Sequence, residues 1–295
     1  MMIPASAPGP DAGAVAGPRS TPGKRKLLAV LEVTLFLTVL MVTAHLGVPF
    51  IKERCGPIAA RLFIAFLWIV PPVAYVALLK KDRAAYGFDI ARKWRPAVHF
   101  GFWGFVVMIL QTPGFVLWGV WGTPGMLILM ALVVGSIVVL LRVLKTEVAV
   151  PRVDWKIAVG VVLLVLPSVV ASAKGRMSAD IIGWQAYYLL VVGFGEEIRS
   201  RGYVQSRLNE AFGRPWEIWG TSFGPGLIIA SVLFGLSHIY QLGAAGPNVL
   251  VGVGATLGGL FYGIVRERAG TFMASALVHG LNTAAFEIYR DIFKM

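Results

Sequence analysis

From Leu27 onward the chain consists of long apolar runs cut by short polar, glycine- or proline-bearing junctions. Runs at about 27–48, 58–79, 97–118, 125–144, 157–173, 181–208, 223–241, 249–265 and 271–289 each approach the length of a bilayer-spanning helix. The pattern predicts an all-α fold, a polytopic transmembrane helix bundle of about eight or nine helices. Pro71-Pro72, Trp118, Trp121, Pro124 and Trp155 fall at the junctions, where helix ends and interfacial aromatic residues belong. Residues 1–23 are rich in Pro, Gly, Ala and Ser, lack any apolar period and predict a disordered tail. Lys24-Arg25-Lys26 precede the first run, which is too long for the core of a signal peptide and reads as an uncleaved first span.

Composition sharpens this picture. Hydrophobic residues make up 57% of the 295 and charged residues 14%, too little polar surface to clothe a water-soluble globule. Lys and Arg number 27 against 15 Asp and Glu, but the cations cluster between apolar runs, as the positive-inside rule requires, and do not form a nucleic-acid surface. The expected partner is therefore the lipid bilayer, with no nucleic acid. Lys80, Lys81, Arg83, Arg92, Lys93 and Arg95 mark 80–95 as a cytoplasmic loop, and the uncharged 119–125 should face outward. The expected location is integral and multi-pass in a membrane. Cys55, the one cysteine, permits no internal disulfide and reads as a small packing residue.

The chain changes character near residue 175. Residues 24–175 are almost purely aliphatic, Glu32 and His45 excepted, and read as accessory transmembrane helices. In 176–295 ionisable residues enter the apolar runs themselves, and an intramembrane charge is expensive and rarely idle. Glu196 and Glu197 stand near the middle of a predicted helix, with Arg199 and Arg201 following. On a regular α-helix Arg201 lies one turn from Glu197 and on its face, while Glu196 points about 100° away. Glu197 is thereby neutralised and Glu196 is free to face something else. His238 shares a face with Phe234 four residues earlier, and His279 can share one with Asn282 or with Thr283. Between these helices, the Gly254/Gly258 and Gly259/Gly263 pairs read as close-contact surfaces. One shared buried polar site accounts for Glu196, Glu197, Arg201, His238 and His279 together.

Glu196-Glu197-Ile198-Arg199-Ser200-Arg201 resembles the Glu-Glu-x-x-x-Arg motif of the CAAX protease and bacteriocin-processing family, which includes the type II CAAX prenyl endopeptidases. Phe234 through His238 is similar to that family's Phe-x-x-x-His motif. The stretch from Leu257 to Arg268, followed by His279, resembles its glycine-rich helix, basic turn and final histidine helix. The resemblance covers roughly 181–288 and implies a catalytic core at 176–295. It implies an intramembrane glutamic endopeptidase of a prokaryotic cell membrane, with no cofactor and with a membrane-anchored protein or peptide as substrate, in which Glu196 activates water with help from His238. His279 and Asn282 would stabilise the oxyanion, with Thr283 standing where many members carry the asparagine. Glu197 and Arg201 would give structural or electrostatic support.

Two other classes fit the same polar residues. A zinc-dependent membrane protease could use Glu and His ligands, although the chain has no His-Glu-x-x-His pair and places Arg201 beside the carboxylates. A non-enzymatic transporter or immunity protein could use them as a proton relay, although no internal repeat is visible. No residue identifies the substrate.

Overall fold

The computed structural model describes residues 21–143, 169–170, 172–175, 179–239 and 247–293. Helix α1, Pro22–Leu78, contains 57 residues, which would reach about 85 Å if straight. It breaks instead at Gly56, where φ is 87°, a conformation that glycine adopts without a Cβ clash. The chain doubles back there. Gly47 lies against the Phe63 ring, Leu40 and Ala44 pack with Leu67, and Glu32 accepts a 2.6 Å hydrogen bond from the Tyr75 hydroxyl. These pairings close around Gly56 in antiparallel order, so α1 is two arms corresponding to the expected runs at 27–48 and 58–79. The helix starts at Pro22, two residues inside the stretch expected to be a tail, because a proline without an N–H suits the first helical turn. Cys55 is exposed beside the break, which corrects its reading as a packing residue: a turn between two arms offers it nothing to pack against.

Helix α2 (Ile90–Met108), a 3₁₀ turn (Ile109–Gln111) and α3 (Thr112–Trp121) form one apolar rod, and α4 (Thr123–Val143) returns beside it. Gly114 against Leu129, and Gly125 against Leu117, let α3 and α4 come close. The next rod, α5, covers residues 179–212 and was expected to be regular. It is α-helical at Ala179–Ala186, Phe194–Glu197 and Ser206–Phe212, and π-helical at Tyr187–Gly193 and Ile198–Gln205. Neighbours press on its glycines: Gly193 meets the backbone of Gly280, Gly195 meets Trp68 and Gly202 meets Phe88. A wide turn therefore lies on each side of the Glu196–Glu197 pair, and such turns recur at functional sites.

A two-stranded antiparallel hairpin follows, β1 (Trp216–Ile218) and β2 (Thr221–Phe223), which apolar periodicity did not announce. Helices α6 (Pro225–Ile239), α7 (Val249–Ala269) and α8 (Phe272–Phe293) complete the described chain. The Asn248 side chain accepts from the Val251 N–H to cap α7, and Gly270 ends it with φ at 69°. Phe261 and Val265 of α7 sit at the centre of the core with Phe100 of α2 and Val278 of α8. Gly101 and Gly104 give Leu277 and Val278 room to pack.

Among the described residues, four helical stretches are long and apolar enough to cross a membrane: Pro22–Leu78, Ile90–Gly119, Thr123–Arg142 and Val249–Ala269. Helix α6 is apolar but shorter, at 15 residues. Most of the expected run at 157–173 lies outside the described residues.

Candidate active site

Rod α5 and helices α6, α7 and α8 bring the predicted polar residues together midway along the bundle. Glu197 is fully buried, and its Oε1 receives Arg201 Nη1 at 2.7 Å. The four-residue spacing delivers this ion pair across the start of the π segment. Arg201 is held at three further points: Nη2 donates to the Gly259 carbonyl at 2.8 Å, and the guanidinium lies 4.5 Å from the Phe234 ring and 5.4 Å from that of Tyr262. His279 Nδ1 lies 3.0 Å from the same Glu197 oxygen. An arginine with five donors and a carboxylate with one saturated oxygen thus anchor α5 to α7 and α8.

Glu196 behaves differently. It is 6% exposed, yet among the described residues its Oε2 has no hydrogen-bond donor. The nearest imidazole nitrogen is His238 Nε2 at 3.8 Å, beyond direct hydrogen-bonding distance. His238 Nδ1 sits 2.8 Å from the Phe234 carbonyl. A carbonyl can only accept, so Nδ1 carries a proton, and in the neutral ring Nε2 then presents its lone pair towards Glu196.

Glu196, His238, His279, Asn282 and Thr283 line one cavity of about 610 Å³, whereas Glu197 and Arg201 lie behind its wall. Met108, Phe115, Trp118, Met126, Leu129 and Met130 of α2, α3 and α4 line the same cavity. The site is therefore a polar constellation in a largely apolar cavity. The carboxylate–imidazole contacts form two separate pairs, Glu196 with His238 and Glu197 with His279. Among the described residues no three His, Cys, Asp or Glu side chains converge as a metal site would require.

Residues 178–285 match the model of a family described as type II CAAX prenyl endopeptidase Rce1-like. This segment is similar to the CAAX protease family, whose members are integral membrane proteins, and the likeness implies a protease, a hydrolase of peptide bonds. No curated protein and no solved structure matches the chain. The matched segment carries every polar residue assigned above, while the apolar lining from α2–α4 lies outside it.

Several contributors to the candidate site were not singled out from sequence. Tyr262 stacks on His279, with ring centres 4.7 Å apart and planes 16° apart, and its hydroxyl lies beside Asn282. The Gly259 carbonyl is an acceptor for Arg201, so the glycine stripe does more than allow helix contact. Ser231 lies where a Gly259 side chain would go. Gly254 and Gly258 line the cavity; Gly254 makes room for Met126 of α4, whereas Gly258 has no tight neighbour, which corrects its half of the close-contact pair. The basic turn holds Arg266 and Arg268 in the last turn of α7. Glu267 accepts from Gln205, Asn209, Arg214 and Arg266 at the end of α7, which makes an interior polar cluster. Of the two N-terminal exceptions, Glu32 is bound by Tyr75, Tyr203 and Arg207, and His45 is exposed.

Proposed function

We propose that the protein is an intramembrane glutamic endopeptidase that hydrolyses peptide bonds in membrane-associated or lipidated proteins or peptides. The observation that carries this reading is the Glu196–His238 pair: a buried carboxylate oxygen without a donor among the described residues, 3.8 Å from an imidazole lone pair, on the wall of an accessible cavity. A water molecule fits the chemistry of that gap by donating one O–H to Glu196 Oε2 and the other to His238 Nε2. Glu196 takes the proton as the water oxygen attacks the scissile carbonyl carbon. The carbonyl becomes a tetrahedral oxyanion, and the proton held by Glu196 passes to the departing amine as the C–N bond breaks.

Donors for the oxyanion come from the facing helix. Asn282 supplies amide N–H groups. His279 can donate to Glu197 from Nδ1 and to the oxyanion from Nε2 only when both ring nitrogens carry protons. Glu197 is the anion that balances that form of the ring, which gives the Glu197–Arg201 pair an electrostatic role as well as a structural one. One such donor supports catalysis by roughly 3 kcal/mol.

The reaction as written uses no metal. Both proton transfers are made by Glu196, and Glu197 Oε1 is engaged by Arg201 and His279, so a cation would have to displace a guanidinium to use it. The apolar wall suits a substrate delivered from the bilayer. We read the chain as a multi-pass protein of eight or nine spans in a prokaryotic cell membrane, with its basic end towards the cytoplasm.

The test is cleavage of a quenched-fluorescent peptide, carrying an apolar segment and a polar C-terminal tail, by the purified full-length protein. Wild type should cleave it and continue after dialysis against a strong chelator. Glu196→Gln should leave a folded protein with no turnover. Normal turnover by Glu196→Gln removes Glu196 as the base, and loss on chelation that stoichiometric zinc restores replaces the glutamic mechanism with a metal one.

A further inference from the structure

The apolar lining that runs from α2 to α4 contains one amide. Gln111 lies in the 3₁₀ turn between α2 and α3, is 2% exposed, and lines the same cavity as Glu196 and His238. Its Nε2 is buried without a hydrogen-bond partner, and neither amide atom pairs with another described side chain or backbone group. An unpaired amide in such a place is costly. Leucine or methionine, which its neighbours Met108, Leu129 and Met130 show to fit that wall, would avoid the cost. Local backbone geometry explains how it is presented. Pro113 follows two residues later without an N–H to continue the α2 ladder, and the chain tightens to 3₁₀ pitch at Ile109–Gln111 before α3 begins.

We propose that Gln111 is a substrate-positioning residue that hydrogen-bonds the main chain of the bound peptide beside the scissile bond. The inference rests on the endopeptidase reading and deepens it by naming the form of the substrate. A peptide in an intact helix has already paired its backbone groups, whereas an extended one brings unpaired N–H and C=O groups into a site with little water. Gln111 can serve either group, because its amide has a donor end and an acceptor end. Methionine, leucine and aromatic side chains around it receive the flanking apolar residues. The cavity therefore takes an extended, apolar segment, whose backbone meets both Glu196 and Gln111 on the lining.

The experiment couples a change in the protein to a change in the substrate backbone. The quenched peptide is made as a series in which one amide at a time near the cleavage site becomes an ester, which removes an N–H and weakens the adjoining carbonyl as an acceptor. With wild type, one ester position should lower kcat/KM about fivefold, the value of one net hydrogen bond. Gln111→Leu should lower it by a similar factor with the all-amide peptide, and should be insensitive to that ester. A merely structural role would make the two losses multiply at every position, and that result overturns the proposal, as does an unchanged kcat/KM for Gln111→Leu. Gln111→Met provides the same comparison if the leucine variant does not fold.

A binding arm separates this inference from the reaction it rests on. In Glu196→Gln protein, where the peptide stays intact, Gln111→Leu should weaken binding of the same labelled peptide about fivefold. Unchanged binding overturns the role of Gln111 even if wild type cleaves. Weakened binding with no cleavage by wild type supports Gln111 and strikes the hydrolytic reading instead.

Discussion

At the end of α7, Glu267 accepts from Gln205 and Asn209 at 2.7 Å each, from Arg214 at 2.7 Å and from Arg266 at 3.1 Å. Near the middle of α5, Glu196 is nearly as buried, yet among the described residues its Oε2 has no donor. Both regions place carboxylates among arginines, and they use them in opposite ways. Four donors fix Glu267 as a node joining α5, α7 and the chain before β1, so its charge is spent on architecture. Glu196 has an accessible cavity in front of it and an imidazole lone pair at 3.8 Å, so its charge is available to a reactant. Burial alone therefore does not mark a reactive carboxylate in a membrane protein. What separates the two is the number of protein donors that reach it.

The comparison is broken most directly by removing each carboxylate. Glu267→Ala leaves Arg266 buried without its partner and frees Asn209 and Gln205, and removing one side of a buried pair costs about 3–5 kcal/mol. Glu196→Gln strands no hydrogen-bond donor among the described residues but takes a counter-charge from the buried Arg199, so its loss should be smaller, about 1 kcal/mol. Thermal unfolding of the two purified variants measures the contrast. Equal losses would show that Glu196 carries structural weight as well.

Glu197 sharpens the comparison because it shares features with both. One oxygen is taken by Arg201 and His279, while the other is unpartnered. Glu197→Gln keeps the shape but leaves Arg201, itself 1% exposed, facing a neutral amide. A cost of about 3 kcal/mol is expected, together with loss of cleavage because His279 loses its counter-charge. Stability and turnover measured on one preparation test both halves. Full activity in a destabilised protein would confine Glu197 to the architectural class.

Sequence periodicity exposes these contacts unevenly. The Glu197–Arg201 pair is visible because a four-residue spacing survives the change of helical pitch after Glu197. His238 and His279 stand out as polar residues in apolar runs, and both reach the cavity. The π segments are not visible, since they arise where Gly193 and Gly202 are pressed by Gly280 and Phe88, contacts between distant parts of the chain. Nor is Tyr262, whose aromatic ring looks like ordinary core until His279 is found stacked on it. The Gly259 carbonyl belongs to the backbone, and no side-chain pattern reports which carbonyl an arginine will find. Gln111 lies in the half that looked purely aliphatic, and it acquires meaning only through the cavity it lines.

The smallest expected effect is a pH dependence at the basic end, where Glu210 is saturated like Glu267 but half-exposed. Burial raises its carboxyl. The Tyr86 hydroxyl at 2.7 Å and the Lys81 ammonium at 2.9 Å oppose this, with Arg207 adding attraction, and the net shift is downward from the usual 4.5. A carboxylate whose folded pKa is depressed binds its proton more readily when unfolded. Its stabilising contribution is therefore complete above the unfolded value near 4.5 and is lost as pH falls through the lower folded value. The exposed Lys81 pair and solvent screening keep the contribution below about 1 kcal/mol. Glu210→Gln should accordingly match the wild-type melting temperature at pH 3 and fall below it by a degree or two at pH 7, a shift of the order expected for such an energy. A gap that widens as pH falls would mean that Glu210 is destabilising where it sits, and saturation by donors would then not suffice to make a carboxylate structural.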